Sequence, residues 1–91
     1  MEVRWSALAA DDLDHIYHYI AGENPEAARR VVRRIFDTCE KLSYAPGIGR
    51  ISRIRGRREL TFAPLPFIVV YQITDEAVEI SRVYHGAQDW P

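Results

Sequence analysis

Apolar positions in the first quarter of the chain recur with the period of an amphipathic helix. They lie three and four residues apart, so a helix collects them on one face. Ser6 can cap the start of such a helix, and Gly22 is suited to end it. The apolar face has these members: Leu13, Ile16, Tyr17 and Ile20. The pattern therefore predicts a first helix between Ser6 and Gly22.

A second helix begins at a clear start signal. Asn24 is a favoured cap, Pro25 fits the first helical position, and Glu26 suits the positive end of the helix dipole. The apolar stripe that follows has these members: Ala28, Val32, Ile35, Cys39 and Leu42. This spacing predicts a helix that ends near Leu42. The short connection between the two helices predicts an antiparallel helical hairpin.

The second half of the chain has the shorter period of β-strands. Strands are predicted over residues 3–5, 57–62, 67–73 and 78–84. Pro64 and Pro66 are expected to bracket a turn. The predicted order is therefore β-α-α-β-β-β, an α+β fold in which the helical hairpin packs on a small, mostly antiparallel sheet. We expect residues 1–91 to form a single domain.

The composition narrows the class of protein. Cys39 is the only cysteine, so no internal disulfide is possible, and its place on an apolar stripe predicts an inert core thiol. No apolar stretch approaches the length of about 18 residues that a membrane span requires. The first residues lack the apolar core of a signal peptide. We therefore expect a cytoplasmic protein.

Basic residues are concentrated in one third of the chain. Residues 29–58 contain ten basic and two acidic residues, although the whole chain has a net charge of −1. Eleven of the twelve basic residues are arginine, whose planar fork suits phosphate and carboxylate groups. Two interpretations stay open: an ordinary solvated face, or a surface that meets nucleic acid or an acidic protein. We expect the segment 50–58 to be exposed, so that Arg57→Ala with Arg58→Ala leaves the melting temperature nearly unchanged.

Several short motifs follow one another in a specific order. They are Ala10-Asp11-Asp12-Leu13, Asn24-Pro25, Pro46-Gly47, Gly49-Arg50, Arg58-Glu59-Leu60, Phe67-Ile68-Val69-Val70-Tyr71, Ile80-Ser81-Arg82-Val83-Tyr84-His85-Gly86 and Asp89-Trp90. In this order the motifs resemble the RelE/ParE toxin superfamily, and the resemblance covers almost the whole chain. None of them is a sharp catalytic fingerprint alone.

The resemblance implies a type II toxin that is held silent by a co-expressed antitoxin, as in plasmid stabilisation systems. RelE-like members cut mRNA on the ribosome, whereas ParE-like members inhibit DNA gyrase. The fold alone does not choose between these two branches. The resemblance implies an antitoxin as partner, gyrase or the ribosome with its mRNA as target, and no cofactor or membrane.

Two departures from the nuclease pattern favour the ParE-like branch. Nuclease branches usually carry an arginine three residues before the tyrosine that corresponds to Tyr71, and here that position is Ile68. An isoleucine can neither stabilise a phosphorane nor move a proton. Residues 49–60 also contain no lysine, where lysine-rich RelE-like members keep catalytic lysines. We therefore expect gyrase inhibition by binding, with no catalysis.

Candidate site residues follow for each branch. If the chain is a ribonuclease, the candidate catalytic residues are His85, Arg82 and Arg58, with Arg58 and Arg82 expected on neighbouring strands, where they could share a phosphate. For His85 a structural role at the edge of the domain is favoured, because one histidine is not a proton relay. For Arg58 and Arg82, ordinary cross-strand ion pairs that include Glu59 remain an open alternative. The candidate residues for binding the target or the antitoxin are Arg50, Arg53, Arg55, Arg57, Arg58 and Arg82.

Three remaining features bear on function. His15 and His18 have a spacing that can bind a metal, but no third ligand accompanies them, so we expect exposed helix polarity and no metal. Trp90 is expected to fold back over the sheet, with an antitoxin pocket as the alternative. Three functions stay open: a gyrase inhibitor, a ribosome-dependent mRNA endonuclease, and a non-toxic module that only binds an antitoxin.

Overall fold

A computed structural model describes residues 1–86 of the chain. The elements are β1 (Glu2–Trp5), α1 (Ala7–Ala21), α2 (Pro25–Glu40), β2 (Arg50–Ile51), β3 (Arg58–Phe62), β4 (Leu65–Ile73) and β5 (Ala77–His85), with short 3₁₀ turns at Lys41–Ser43 and Pro46–Ile48. The α+β fold and its element order are confirmed, with the two-residue strand β2 as an addition. The predicted position of Trp90 lies outside the described residues.

Both helices begin at the predicted caps. The Ala9 amide donates to Ser6 Oγ at 3.0 Å, and the Ala27 amide donates to Asn24 Oδ1 at 3.1 Å. Pro25 occupies the start of α2. These side chains satisfy amide groups that have no partner within the helix, so each helix start is fixed by its own sequence.

The sheet has a mixed topology. Over residues 1–86 its strand order is β1-β5-β4-β3-β2, with β1 parallel to β5 and the other neighbours antiparallel. Strand β4 begins two residues earlier than predicted and includes Pro66. Pro66 is tolerated because the pairing of β3 with β4 shifts register between Thr61 and Phe62, and a bulge does not need an amide donor there.

The core lies between the helical hairpin and one face of the sheet. Alternate residues of the strands reach it, and α2 contributes Ile35 and Cys39. Burial raises the pKa of the Cys39 thiol to about 12, so the thiolate does not form at neutral pH. The prediction that Cys39 lies in the core is confirmed.

Tyr71 fixes the segment that leads into β2. Its side chain is fully buried, and its hydroxyl donates to the Pro46 carbonyl at 2.7 Å and accepts from the Gly49 amide at 2.9 Å. A side chain at residue 49 would bring its first carbon within 2.5 Å of that hydroxyl, so glycine is required. Burial raises the pKa of Tyr71, which keeps the hydroxyl neutral and able to donate.

No helix within residues 1–86 has the length and apolar character to cross a bilayer.

Candidate functional site

The arginine-rich segment forms the edge of the sheet. After β2 the chain turns tightly, with the Ser52 amide donating to the Arg57 carbonyl at 3.0 Å, and returns as β3. Gly56 has a φ of 78°, a conformation that glycine adopts without strain. We call Arg50, Arg53, Arg55, Arg57 and Arg58 together the sheet-edge arginines. Arg50, Arg53 and Arg55 are exposed, whereas Arg57 and Arg58 are half-buried.

Three sheet-edge arginines are bound by groups of the fold itself. Arg50 Nε donates to Glu59 Oε1 at 2.6 Å, and Arg57 donates to the side chain of Gln72. Arg58 donates to the Gly49 carbonyl at 2.8 Å. The prediction that the whole segment is exposed is therefore wrong for Arg57 and Arg58, because polar groups of the neighbouring strand and loop hold them against the surface.

Glu59 is a buried carboxylate that depends on Arg50. Its side chain is 6% exposed, whereas that of Arg50 is 63% exposed. Glu59 Oε2 is buried and has no hydrogen-bond partner among the described residues. A buried carboxylate is costly without a compensating charge, so Arg50 has a structural role at this edge.

Arg82 forms a bidentate ion pair with Asp12 of α1. Its guanidinium donates to both carboxylate oxygens, with Nε to Oδ2 at 2.7 Å and Nη2 to Oδ1 at 3.0 Å. Asp12 Oδ2 also accepts the Val83 amide at 2.9 Å. Because β1 pairs with β5 only as far as Ile80, the carboxylate satisfies an amide that has no β1 partner beyond that point. The hydrogen bond from the Arg82 guanidinium to the Asp12 carboxylate raises the pKa of Arg82, so the guanidinium stays charged in the pair.

His85 lies on the helix-facing side of β5, at its end. Its ring meets the Phe67 ring edge-on, with centroids 5.6 Å apart. Both rings line an apolar groove of about 500 Å³ between the hairpin and the sheet, together with Ile16, Ile20 and Val31. His85 itself is exposed, although most residues that line the groove are apolar.

The three candidate catalytic residues do not converge. Strand β4 lies between β3 and β5, so the expectation that Arg58 and Arg82 occupy neighbouring strands is wrong. Arg58 is opposite Tyr71, and Arg82 is opposite Val70. Successive residues of a strand point to opposite faces, so Arg58 is directed to the core side and Arg82 to the other. The extra residue in β5 places its last position, His85, on the core side with Val83.

A second arginine group lies on α2, outside the residues that sequence reasoning selected as the site. Arg29, Arg30 and Arg33 are exposed, and within residues 1–86 no carboxylate lies near enough to pair with them. We call these three the α2 arginines. Arg34 differs, because its guanidinium donates to the Ala63 carbonyl at 3.2 Å and lies 5.9 Å from the centre of the Phe62 ring.

The α2 arginines border a groove on the outer side of the hairpin. It has a volume of about 620 Å³, and its apolar lining comes from Tyr17, Val32 and Phe36. An adjoining hollow of about 390 Å³ shares these residues and continues toward Trp5. The signal for this surface in the sequence was four arginines within six residues on the polar side of α2.

The described residues contain no group of three histidine, cysteine, aspartate or glutamate side chains placed to hold a metal ion. His15 and His18 are exposed on α1, and His18 lies beside Asp14, with 3.5 Å between Nδ1 and Oδ1.

Comparison with known proteins identifies the family. The sequence model for the ParE toxin of the type II toxin-antitoxin system, parDE, matches residues 3–90. The chain therefore belongs to the ParE toxin family of type II toxin–antitoxin systems, within the RelE/ParE superfamily. It is 43% identical to the putative toxin Y4kP of Sinorhizobium fredii, over 98% of this chain and 92% of that one. It is 33% identical to toxin RelE2 of Caulobacter vibrioides, over 96% and 97%.

Solved structures give the same fold. The chromosomal ParDE toxin–antitoxin system from P. aeruginosa matches with a TM-score of 0.83 and 33% identity, over 93% of this chain and 95% of that one. The RelBE2 toxin–antitoxin complex of Mycobacterium tuberculosis matches with a TM-score of 0.67 and 24% identity, over 96% and 92%. The resemblance to the superfamily that the sequence motifs indicated is confirmed.

Proposed function

We propose that this toxin arrests growth in the cytoplasm by binding DNA gyrase, without cleaving RNA, and that a cognate antitoxin neutralises it. Membership of the ParE family supports the choice of branch, since the ParE-like members that the sequence resembles inhibit gyrase. The solved relatives from P. aeruginosa and M. tuberculosis belong to toxin–antitoxin systems, which supports an antitoxin as partner.

The separation of His85, Arg82 and Arg58 is the observation that carries this proposal. Cleavage of RNA needs a base, an acid and a cation within hydrogen-bond reach of one phosphate. Arg58 and Arg82 are two strands apart, roughly 10 Å, and they point to opposite faces of the sheet. Arg82 already uses two donors on Asp12. The three residues therefore do not form a phosphate site.

The surroundings of Ile68 support the same conclusion. Ile68 is opposite Thr61 on β3 and Tyr84 on β5, so a row of uncharged side chains crosses the sheet here. These three side chains supply no cation, and the Arg82 guanidinium, which lies 5.0 Å from the centre of the Tyr84 ring, is paired with Asp12. The nuclease branches carry an arginine at the position of Ile68. An arginine here would face the solvent side of the sheet.

We propose that Arg53 and Arg55 contact the target. Both are exposed in the turn between β2 and β3. Exposed cations on a protruding turn steer an acidic partner and add little to stability.

Expression of the chain without antitoxin tests the target. We expect elongated cells and relaxed plasmid DNA, while the 5′ ends of cellular mRNA remain as in uninduced cells. The Arg53→Glu, Arg55→Glu variant should lose this effect. New mRNA ends within ribosome-bound codons would show the alternative function, a ribosome-dependent nuclease, which the similarity to toxin RelE2 supports. Normal growth would instead indicate a non-toxic module that binds antitoxin.

A further inference from the structure

We propose that the groove on the outer side of the helical hairpin binds an acidic, amphipathic helix of the antitoxin. This inference rests on the proposed function in one respect, namely that an antitoxin is the partner. The groove is lined by seven residues: Tyr17, Val32 and Phe36 in its floor, and Arg29, Arg30, Arg33 and Asp37 at its border.

The positive charge at the groove border favours a partner that carries carboxylates. Residues three and four apart are neighbours on a helix, so Arg33 lies close to both Arg29 and Arg30. Like charges at these spacings destabilise a helix. Glu26 and Asp37 have the spacing to pair with Arg30 and Arg33, yet no such pair lies within 4.0 Å in residues 1–86. Carboxylates of a partner would relieve the repulsion and match the arginine forks.

The apolar floor of the groove favours apolar side chains on the partner. Phe36 is 43% exposed, and its ring stacks on Trp5 with 6.0 Å between centroids. Val32 and Tyr17 are half-buried beside it. Arg29 and Phe36 are seven residues apart on α2, so the groove is roughly 10 Å long, which matches about two turns of a partner helix. A helix with an apolar face and acidic flanks fits both requirements.

A protein partner fits this groove better than a nucleic acid. Asp37 lines the groove together with the α2 arginines, and Asp14 lines the adjoining hollow. A phosphate backbone that followed the groove would meet these carboxylates, whereas a helix can place a basic or neutral residue opposite each one. An apolar floor also offers nothing to a sugar–phosphate backbone.

The second groove of the hairpin, which His85 and Phe67 line, lacks this charge. Its lining contains Asp12 and His15 but no arginine or lysine. Asp12 is already paired with Arg82. Charge complementarity therefore assigns the acidic helix to the outer groove.

The inference is tested by measuring binding between the full-length toxin and its full-length antitoxin, the protein encoded beside it. Interferometry at low and moderate salt would give the dissociation constant of each variant. The Arg29→Glu, Arg30→Glu, Arg33→Glu variant should bind on the order of 100-fold more weakly at low salt and lose most of the salt dependence. The variant with lysine at the same three positions keeps the charge and should stay within about fivefold of the unmodified toxin.

The apolar floor has its own matched pair of variants. Phe36→Ser should weaken binding about tenfold, because it removes an aromatic contact from the floor. Ile51→Ser, at a side chain that is 79% exposed on β2, should leave the dissociation constant unchanged. Circular dichroism and thermal melting of each variant separate loss of binding from loss of fold.

Several outcomes would overturn the inference. Unchanged antitoxin affinity in the folded glutamate variant would do so, as would an equal loss of affinity in Arg53→Glu, Arg55→Glu. Binding of an oligonucleotide that the glutamate variant loses, with antitoxin affinity intact, would assign the groove to nucleic acid instead. Failure of the unmodified toxin to bind the antitoxin at all would refute the proposed partner, which is a distinct result from failure of the groove variants alone.

Discussion

The two arginine groups of this protein look alike in sequence and differ in structure. Among the sheet-edge arginines, Arg50, Arg57 and Arg58 are bound by groups of the fold. The α2 arginines have no ion-pair partner within the described chain. A high density of arginine in a sequence therefore does not show which guanidinium groups are available to a partner.

The difference follows from what each element places beside an arginine. A strand has a neighbour across the ladder, so Arg50 meets Glu59 directly in register, and a nearby loop offers Arg58 a carbonyl oxygen. An exposed helix position has only its neighbours three and four residues away. On α2 those neighbours include other arginines, and the two carboxylates with the right spacing, Glu26 and Asp37, form no ion pair with them within residues 1–86.

Arg82 is the most firmly bound arginine, and breaking its pair should have the largest effect. Asp12→Ala removes the acceptor of the Arg82 guanidinium and of the Val83 amide together. We expect the free energy of unfolding to fall by about 3 kcal/mol, measured by urea denaturation. A loss below about 0.5 kcal/mol would show that the pair is an ordinary surface contact.

Arg50 comes next, because Glu59 is buried beside it. Arg50→Ala should lower the free energy of unfolding by about 2 kcal/mol, since it leaves a buried carboxylate without its counter-charge. Combining it with Glu59→Gln removes that charge and should recover roughly half of the loss. If the double variant is no more stable than Arg50→Ala, the burial of the Glu59 charge does not determine stability here.

Arg57 and Arg58 should show a smaller effect. The sequence predicted that replacing both by alanine leaves the melting temperature nearly unchanged. Since both are half-buried and hydrogen-bonded, we now expect a loss of about 1 kcal/mol, or roughly 4–8 °C in the melting temperature. Scanning calorimetry of the double variant distinguishes these expectations. An unchanged melting temperature would restore the original prediction.

The α2 arginines should have the smallest effect on stability. Replacing Arg29, Arg30 and Arg33 by alanine removes like-charge neighbours and no observed ion pair. The free energy of unfolding should stay within about 0.5 kcal/mol of the unmodified protein, or rise slightly at low salt. A marked loss of stability on urea denaturation would mean that these side chains have structural partners, and the contrast between the two groups would disappear.

Local signals in the sequence predicted most of the helices and strands. Ser6, Asn24 and Pro25 set the helix starts, and the continuous apolar run of 67–73 predicted most of β4. Strand β2 was missed because two residues have no period to detect. The position of β1 was not predictable in the same way, since it pairs in parallel with β5, the strand most distant from it in the sequence.

The candidate site was harder to predict for a related reason. Sequence reasoning selected residues by their chemistry, but the faces on which Arg58 and Arg82 lie depend on pairing partners and on an extra residue in β5. The pairing of Arg82 with Asp12 joins residues 70 positions apart, which no local pattern reveals. The α2 arginines were visible in the sequence as basic charge, but only the packing of α1 against α2 shows that they border an apolar groove.

Whether this toxin acts by binding gyrase is tested most directly by a supercoiling assay with purified components. The refolded toxin is added to DNA gyrase, relaxed plasmid and ATP, and the same preparation is added to ribosomes programmed with mRNA. We expect supercoiling to be inhibited in proportion to the toxin concentration and to be restored by added antitoxin. In the ribosome reaction we expect the mRNA to remain intact. Normal supercoiling together with cleaved mRNA in the ribosome reaction would contradict the account.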